Sequence, residues 1–304
     1  MSHHDYSYAE IRRLSERAAW RLEDVVGPDK SLDFDKPFMP EALARTRELS
    51  FLTPPEQRVL NQIRGHSYLR VFIVFEEFVV PFLLDDIRKG VADSDEALRT
   101  LLQFANEETK HTQIFKWFAE DFRRGFPQEC GLIGPSHEIG AYIRGHDALA
   151  VGLLLLATEW STQAHYLQCV RDDQGIDPQF KSLLRHHWIE ESQHTKADTL
   201  IVEKLAAQLS PEQRNAAFEQ YLALCTYLDG GFSQQAALDV ASFELAAYRT
   251  ISEAEHEELL RVQRKALRYT FLESAMEHPR FTETLQRLDA GFAGRVTELA
   301  RSFA

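Results

Sequence analysis

The chain has 304 residues, of which 44% are hydrophobic and 27% charged, a composition ordinary for a globular protein with a sizeable core. Its net charge of −13 at pH 7 argues against binding nucleic acid or an anionic membrane, which would need a basic face. The apolar runs are too short for a bilayer span, the first ten residues lack an apolar signal segment, and the three cysteines have no metal or disulfide spacing, which together predict a cytoplasmic protein.

Helical periodicity dominates from residue 56 onwards, and alternating strand patterns are hard to find. Residues 1–55 contain many turn signals and are expected to form an N-terminal arm with one short helix. Long helices are predicted at 56–89, 94–125, 139–172 and 178–208, and further helices near 211–228, 232–249, 252–276 and 279–303. The sequence therefore predicts an all-α protein with one domain over 1–304, in which a bundle at 56–208 is followed by additional packing helices at 209–304.

The fourth long helix carries candidate metal ligands. His187, Glu191 and His194 are spaced i, i+4 and i+7, so a helix places them on one face. Two imidazoles and a carboxylate favour iron, manganese or zinc over calcium or magnesium. His186 is the alternative to His187, but only His187 aligns with the other two residues.

The second long helix repeats this pattern 83 residues earlier. Glu108 and His111 match Glu191 and His194 at the same offset, and the preceding Glu107 matches Glu190. A repeated Glu-x-x-His on two helices is the arrangement that a four-helix metal site uses. The repeat therefore predicts that two helices of the bundle share one metal cluster.

Such a cluster also needs one carboxylate from each of the other two helices. Glu159 follows the apolar run 153–157, where an unpaired carboxylate would be costly to bury. Glu76 lies 83 residues earlier, on the apolar face of its helix, whereas the alternative Glu77 shares a stripe with charged residues. The predicted ligands are Glu76, Glu108, His111, Glu159, His187, Glu191 and His194.

A third Glu-x-x-His ends at His256, in a highly charged run after Ser252. Ser252 and Glu255 fit a capping box, in which the two side chains satisfy backbone N–H groups at an exposed helix start. We therefore expect no metal at His256.

The predicted ligand set resembles the ferritin-like di-iron carboxylate pattern. The extra histidine in His187-x-x-x-Glu191-x-x-His194 narrows the resemblance to the p-aminobenzoate N-oxygenase family of arylamine-oxidising di-iron enzymes. The motifs cover roughly residues 60–210 and imply a ferritin-like four-helix bundle. The resemblance implies two iron ions, with a manganese–iron pair as the alternative. One ion would be bound by Glu76 and His111 and the other by Glu159, His187 and His194, with Glu108 and Glu191 bridging.

By the same resemblance, Glu107 and Glu190 would be outer carboxylates that orient the histidines, although exposure at the surface is the alternative. The implied activity is O2-dependent oxidation of a small molecule, with an aryl amine as substrate and a separate electron donor. The alternatives are a di-iron hydroxylase or desaturase of another substrate, a ferritin-like protein that handles iron or scavenges peroxide, and a metal-free helical interaction protein. A homodimer is compatible with the sequence.

Overall fold

The computed structural model describes residues 6–88, 90 and 93–303. These residues fold into helices joined by turns, and they form no strand beyond an isolated bridge between Gly27 and Lys30. The all-α prediction is confirmed. None of the described helices is both long and apolar enough to cross a membrane.

The prediction of one short helix in the N-terminal arm is wrong, because the arm contains three, α1 (Tyr8–Ala18), α2 (Leu22–Val25) and α3 (Glu41–Ala44), and a 3₁₀ turn at Thr46–Glu48. It packs tightly on the following helix because Asn61 accepts hydrogen bonds from the backbone N–H groups of Phe38 and Met39, both at 2.8 Å. The side chains of Phe38 and Met39 are buried. The arm is therefore part of the hydrophobic core.

The first two long helices are α4 (Pro54–Arg88) and α5 (Asp95–Gly125), and they pack along each other. The Ser94 hydroxyl accepts a hydrogen bond from the backbone N–H of Ala97, which caps the start of α5. The predicted bounds 56–89 and 94–125 agree with these helices to within two residues, except that residue 89 lies outside the described part of the chain.

The predicted helix 139–172 is wrong as a single element. The structure has α6 (Ser136–Arg144), then α7 (Ala148–His165), then a π-helical turn at Tyr166–Val170. The interruption arises because Asp147 caps a new helix, its carboxylate accepting from the backbone N–H of Leu149 at 2.9 Å. An aspartate two residues after Gly145 was the sequence signal for this break.

The fourth long helix is α8 (Pro178–Gln208), which matches its predicted bounds. Asp177 caps it, accepting from the backbone N–H of Phe180, and Pro178 occupies the first position, where no hydrogen bond is lost. Helix α8 packs along α7 and also contacts α5, while α4 contacts α7. The four helices α4, α5, α7 and α8 thus enclose a common interior.

The C-terminal region begins with α9 (Pro211–Ala246), which joins two predicted helices, 211–228 and 232–249. Gly230 and Gly231 do not break it, since the flanking Leu228 and Phe232 are buried on one face and their packing holds the helix together. Predicting two helices here was wrong because tertiary packing outweighs the weak helix propensity of glycine.

The remaining helices cover the bundle from outside. Helix α10 (Glu253–Arg268) continues through a π-helical turn at Tyr269–Glu273 into α11 (Ser274–Met276). The predicted helix 279–303 is divided into α12 (Pro279–Leu288) and α13 (Ala290–Phe303). Asp289 lies between them with extended backbone and accepts from the N–H of Phe292 at 2.8 Å.

Candidate metal centre

Seven side chains from the four bundle helices meet in the interior, and none exposes more than 6% of its surface. Helix α4 supplies a carboxylate, α5 a carboxylate and an imidazole, α7 a carboxylate, and α8 a carboxylate and two imidazoles. The structure thus brings together all of the predicted ligands: Glu76, Glu108, His111, Glu159, His187, Glu191 and His194.

Glu191 lies at the centre of this cluster. Its Oε1 is 2.7 Å from Nε2 of His187 and 2.9 Å from Nδ1 of His111, and its Oε2 is 2.9 Å from Nδ1 of His194. Glu108 also lies between two histidines, with Oε1 2.7 Å from Nδ1 of His194 and Oε2 3.5 Å from Nδ1 of His111. Both carboxylates therefore have the placement expected of bridging ligands.

The ligand atoms form two overlapping groups, each within a span of 4.8 Å: Glu76, His111, His187 and Glu191, and Glu108, His111, Glu191 and His194. Nε2 of His187 is 3.0 Å from Glu76, and both His111 and Glu191 belong to the two groups, so these contacts do not divide the ligands between two ions. His187 lies one turn before Glu191 and His194 one turn after it, so the two imidazoles lie on opposite sides of that carboxylate along the helix axis.

Glu159 lies beside Glu191 but belongs to neither group. Burial, together with the charge of Glu191 and a hydrogen bond to it, raises the pKa of Glu159 well above its ordinary value. Burial and the charge of Glu108 likewise raise the pKa of Glu76 to about 7. Protons would thus compensate part of the buried negative charge, and a bound cation would displace them.

The pKa values of the histidines depend on the same buried carboxylates. Burial alone would lower the pKa of His194, but the charges of Glu191 and Glu108 raise it well above its ordinary value. Burial would raise the pKa of Glu191, yet the charges of the three histidines lower it well below the usual range. Positive charge thus stabilises the central carboxylate, which is what bound cations would supply.

Several polar atoms of the cluster lie close to one another without hydrogen-bond geometry: both carboxylate oxygens of Glu108, Oε1 of Glu191 and Nδ1 of His111. Buried polar atoms without partners are costly, and convergent ones are typical of metal sites. The four glutamates carry a formal charge of −4 when ionised, which two divalent ions would balance. The mixed imidazole and carboxylate donors suit iron or manganese, so these residues fit a pair of such ions.

Two further carboxylates hold the outer nitrogens of the histidines. Nε2 of His111 lies 3.0 Å from Glu190, and Nε2 of His194 lies 2.9 Å from Glu107. Both carboxylates are buried, so the alternative of surface exposure is wrong. Each fixes the ring so that Nδ1 faces the cluster and makes the imidazole a stronger donor.

The two open alternatives for ligand positions lie outside the cluster. Glu77 is half-buried and pairs with Lys116, whose Nζ is 2.6 Å away, and with the hydroxyl of Ser136. His186 is turned away from the ligands, because its Nδ1 hydrogen-bonds the backbone carbonyl of Ser182 at 2.7 Å. The structure therefore places Glu76 and His187 at the cluster.

The third Glu-x-x-His lies on the surface. His256 is half-exposed and pairs with Glu244 at 2.8 Å, and Ser252 and Glu255 form the predicted capping box at the start of α10. No group of potential ligands forms around His256 in the described part of the chain.

A cavity of only about 10 Å³, the space of roughly one water molecule, lies against His187. The rings of Tyr166 and Trp188, which line it, stack with centroids 4.4 Å apart. The pocket is lined by Leu43, Tyr68, Thr162, His165, Tyr166, Val170, Leu184, His187 and Trp188. It is too small for an organic molecule unless its lining side chains move apart.

Sequence reasoning missed two residues next to the cluster. Nζ of Lys110 lies 2.5 Å from Glu190 and 4.3 Å from the centroid of the Trp20 ring. The Trp20 ring in turn stacks on His111 at 6.1 Å. Since Trp20 comes from the N-terminal arm, 90 residues from Lys110, no spacing rule could have connected them.

The family described as P-aminobenzoate N-oxygenase AurF matches residues 9–267, which is most of the chain and includes every residue of the cluster. No curated protein matches the chain.

Proposed function

Because the chain belongs to the P-aminobenzoate N-oxygenase AurF family, we propose that it is a non-haem di-iron oxygenase that uses O2 to oxidise an aryl amine at nitrogen. The observation that carries this proposal is the buried cluster of three histidines and four glutamates, with polar atoms that converge without hydrogen-bond geometry. A metal-free interaction protein would have no reason to bury such a cluster.

Following the resemblance, Glu76 and His111 would hold iron at one position and Glu159, His187 and His194 at the other, and Glu108 and Glu191 would be shared. When bound, an iron pair would supply the redox chemistry towards O2 that protein side chains cannot perform. The protein holds the ligands in place: Glu190 and Glu107 fix the rings of His111 and His194. The apolar interior keeps water away from the cluster.

An aryl amine would reach the cluster beside His187 only after the side chains that line the small cavity move apart. Phe72 and Phe115 pack edge-on against the His187 ring, with ring centroids 5.2 and 4.9 Å from its own, whereas Tyr166 and Trp188 line the cavity.

The proposed reaction also sets a requirement for electrons. Conversion of an aryl amine and O2 into the hydroxylamine and water consumes two protons and two electrons. We therefore propose that a separate electron donor is a partner. It would be either a one-electron carrier or a protein that obtains its electrons from a hydride donor. Whether two copies of the chain associate is a separate prediction that oligomer mass would test.

The experiment that tests the function begins with metal analysis of protein produced with ample iron and manganese. About two ions per chain are expected, and fewer than about one would overturn the di-metal proposal. The reduced protein is then mixed with O2 and a panel of aryl amines, and products are identified by mass spectrometry. Hydroxylamine, nitroso or nitro products are expected.

Other outcomes of the same experiment would contradict the proposal. Carbon hydroxylation or desaturation without any N-oxidised product would show a different oxidation by the same cluster. Accumulation of many ferric ions per chain, with no organic product, would indicate iron handling.

A further inference from the structure

Trp20, in the N-terminal arm, links one candidate ligand to the edge of the molecule. Its ring stacks on that of His111, with centroids 6.1 Å apart and an angle of 16° between the ring planes. Resting on the proposed function, we propose that electrons reach the metal cluster through Trp20, which acts through His111 and does not touch the substrate. An acidic one-electron carrier protein docks around it, on a basic surface formed by Arg17, Arg21 and Arg185.

Trp20 differs from the other rings that contact the candidate histidines. Apart from the histidines themselves, those rings in the described part of the chain are phenylalanines of the hydrophobic core: Phe72 and Phe115 at His187, and Phe104 at His194. Each exposes at most 2% of its surface, whereas Trp20 exposes 8%. Its indole is therefore the most exposed aromatic ring in contact with a candidate ligand.

The stacked pair leads directly to the ligands. Nδ1 of His111 lies 2.9 Å from Oε1 of Glu191, and His111 belongs to both candidate ligand groups. The contact with Trp20 therefore reaches the cluster however the ligands are divided between two ions. Because electron transfer through protein slows steeply with distance, two stacked rings connect the cluster to the surface better than a gap between saturated side chains would.

Trp20 is fixed in place by neighbours from two helices. On α5, the ammonium of Lys110 donates to the backbone carbonyl of Trp20 at 3.2 Å and lies 4.3 Å from the centroid of its ring. On α8, the half-buried ring of His186 packs edge-on against it, with centroids 5.6 Å apart. The cation over the ring face also stabilises negative charge there, which favours the passage of an electron towards the cluster.

Exposed arginines lie around this entry point. Arg21 directly follows Trp20, and Arg17 lies three residues before it, in the last turn of α1. On α8, Arg185 directly precedes His186. None of the three arginines forms an ion pair with another residue that the structure describes. Since the whole chain carries a net charge of −13, unpaired positive charge at one place favours an acidic partner there.

The basic surface is small. The acidic residues Glu23 and Asp24 follow it on α2, where the carboxylate of Asp24 accepts from the backbone N–H of Arg21 at 2.9 Å. Electron-transfer complexes are typically weak and bury little surface, so a patch of this size is sufficient for brief docking. Its charges steer the carrier to Trp20 and contribute less to holding it there.

Each encounter transfers one electron. The carrier is oxidised by one electron, a trivalent metal ion of the cluster is reduced to the divalent state, and no bond is formed or broken. The indole of Trp20 is unchanged at the end of the transfer. Two such encounters supply the two electrons that the proposed oxidation of an aryl amine consumes.

The test is anaerobic stopped-flow mixing of the oxidised, iron-loaded full chain with excess reduced carrier. The probes are two acidic carriers, a two-iron, two-sulfur ferredoxin of the plant type and a flavodoxin, and their reoxidation is followed optically. Trp20→Leu should lower the limiting rate at saturating carrier by about tenfold or more, whereas Trp20→Phe keeps a stacked ring and should stay within about threefold of wild type. An unchanged or higher limiting rate in Trp20→Leu would overturn the route, as would failure of both carriers to reduce the wild-type cluster.

Two controls separate the route from packing. Trp117→Leu removes another partly buried indole, one that packs against Phe118 with centroids 5.3 Å apart, and should leave the limiting rate as in wild type. The affinity of Trp20→Leu for cobalt(II) should stay within about threefold of wild type, because His111 keeps its bond to Glu190. Equal slowing in both tryptophan variants, or a large loss of cobalt affinity in Trp20→Leu, would show a structural effect and contradict the proposal.

A second pair of variants tests docking. Arg21→Glu combined with Arg185→Glu should lower the second-order rate at low ionic strength by about tenfold and flatten its dependence on salt, with the limiting rate unchanged. Arg144→Glu combined with Arg301→Glu changes the net charge equally at exposed positions on α6 and α13, and should react as wild type does. Equal second-order rates in the two double variants would rule out docking on the basic surface.

Binding of oxidised ferredoxin to the full chain, measured by calorimetry, provides a readout that involves no turnover. Arg21→Glu with Arg185→Glu should weaken it about tenfold at low ionic strength, and Trp20→Leu should change it less than about threefold. A chain that binds no metal pair would refute the proposed function itself. A bound pair whose reduction and docking are the same in all of these variants would refute only the roles of Trp20 and the basic surface.

Discussion

Nε2 of His111, on α5, lies 3.0 Å from a carboxylate oxygen of Glu190, on α8. The residue directly before the central Glu191 therefore orients a histidine on the neighbouring helix. Glu107 does the same in return for His194. Each helix thus supplies both a ligand pair and the carboxylate that positions the other helix's imidazole, so the two halves of the cluster depend on each other.

Replacement of Glu190 should weaken metal binding without unfolding the protein. Glu190→Gln removes the charge that strengthens His111 as a donor, and we expect total cobalt or iron affinity to fall about 10- to 100-fold. Glu120→Gln is the control. Glu120 forms an exposed ion pair with Arg123 on α5, and this variant should bind metal as tightly as wild type does. Equal affinities for both variants would rule out the orienting role of Glu190.

His187 and its neighbour His186 offer a direct comparison. His187→Ala removes a side chain that lies 2.7 Å from Glu191, and should reduce the metal content or lower the affinity by at least about tenfold. His186→Ala removes a half-buried ring that hydrogen-bonds the backbone carbonyl of Ser182, and should leave the metal content unchanged. Loss of metal from the His186 variant alone would mean that α8 is rotated relative to the structure.

The meeting of the seven candidate ligands in one place could be predicted from sequence for a simple reason. A helix turn fixes which residues share a face, so Glu191 and His194, or Glu108 and His111, must point the same way wherever the helix packs. The offset of 83 residues then connected the two faces before any tertiary contact was known. The choice of Glu76 over Glu77 followed from the same face argument.

The features that could not be predicted from the sequence are those that depend on tertiary packing. Lys110 reaches Glu190 and Trp20 only because the N-terminal arm folds back over α5. The continuity of α9 through Gly230 is likewise set by packing of its neighbours, which local propensity does not report. The side of Glu191 on which His187 lies became clear only when α4 was in place beside it.

The buried His66 should make stability depend on pH. Burial, with the nearby charge of Arg70, lowers its pKa to about 3, while the unfolded chain has the ordinary value of about 6.5. Above pH 6.5 neither state binds the proton. Below it only the unfolded state does, so this group lowers the free energy of unfolding by roughly 1.4 kcal/mol per pH unit as pH falls towards 3.

His66→Phe tests that dependence with little change in packing. The His66 ring stacks on Phe122 with centroids 4.4 Å apart, and its Nδ1 has no hydrogen-bond partner, so a phenyl ring should fit. In urea unfolding between pH 7 and 5, the variant should lose about 2 kcal/mol less of its free energy of unfolding than wild type does. The same loss in both proteins would contradict a neutral buried His66.

The N-terminal arm packs so closely on α5 that one added methyl group at their contact should lower the free energy of unfolding. A Cβ added at Gly125, the last residue of α5, would lie 2.2 Å from Cε2 of Phe34 in the arm. Gly125→Ala should therefore lower the free energy of unfolding by about 1–3 kcal/mol through overpacking. Gly294→Ala, where the added Cβ meets nothing within 4 Å inside α13, should instead stabilise by about 0.5–1 kcal/mol.

A double-mutant cycle assigns the cost at Gly125 to Phe34. In a Phe34→Ala background the clash partner is absent, so adding Gly125→Ala should cost little or become slightly stabilising. An undiminished cost in that background would mean that the methyl group disturbs the end of α5 itself. Because Phe34 also packs near Phe38 and Phe122, the coupling energy would measure how firmly the arm is held against the bundle that carries the cluster.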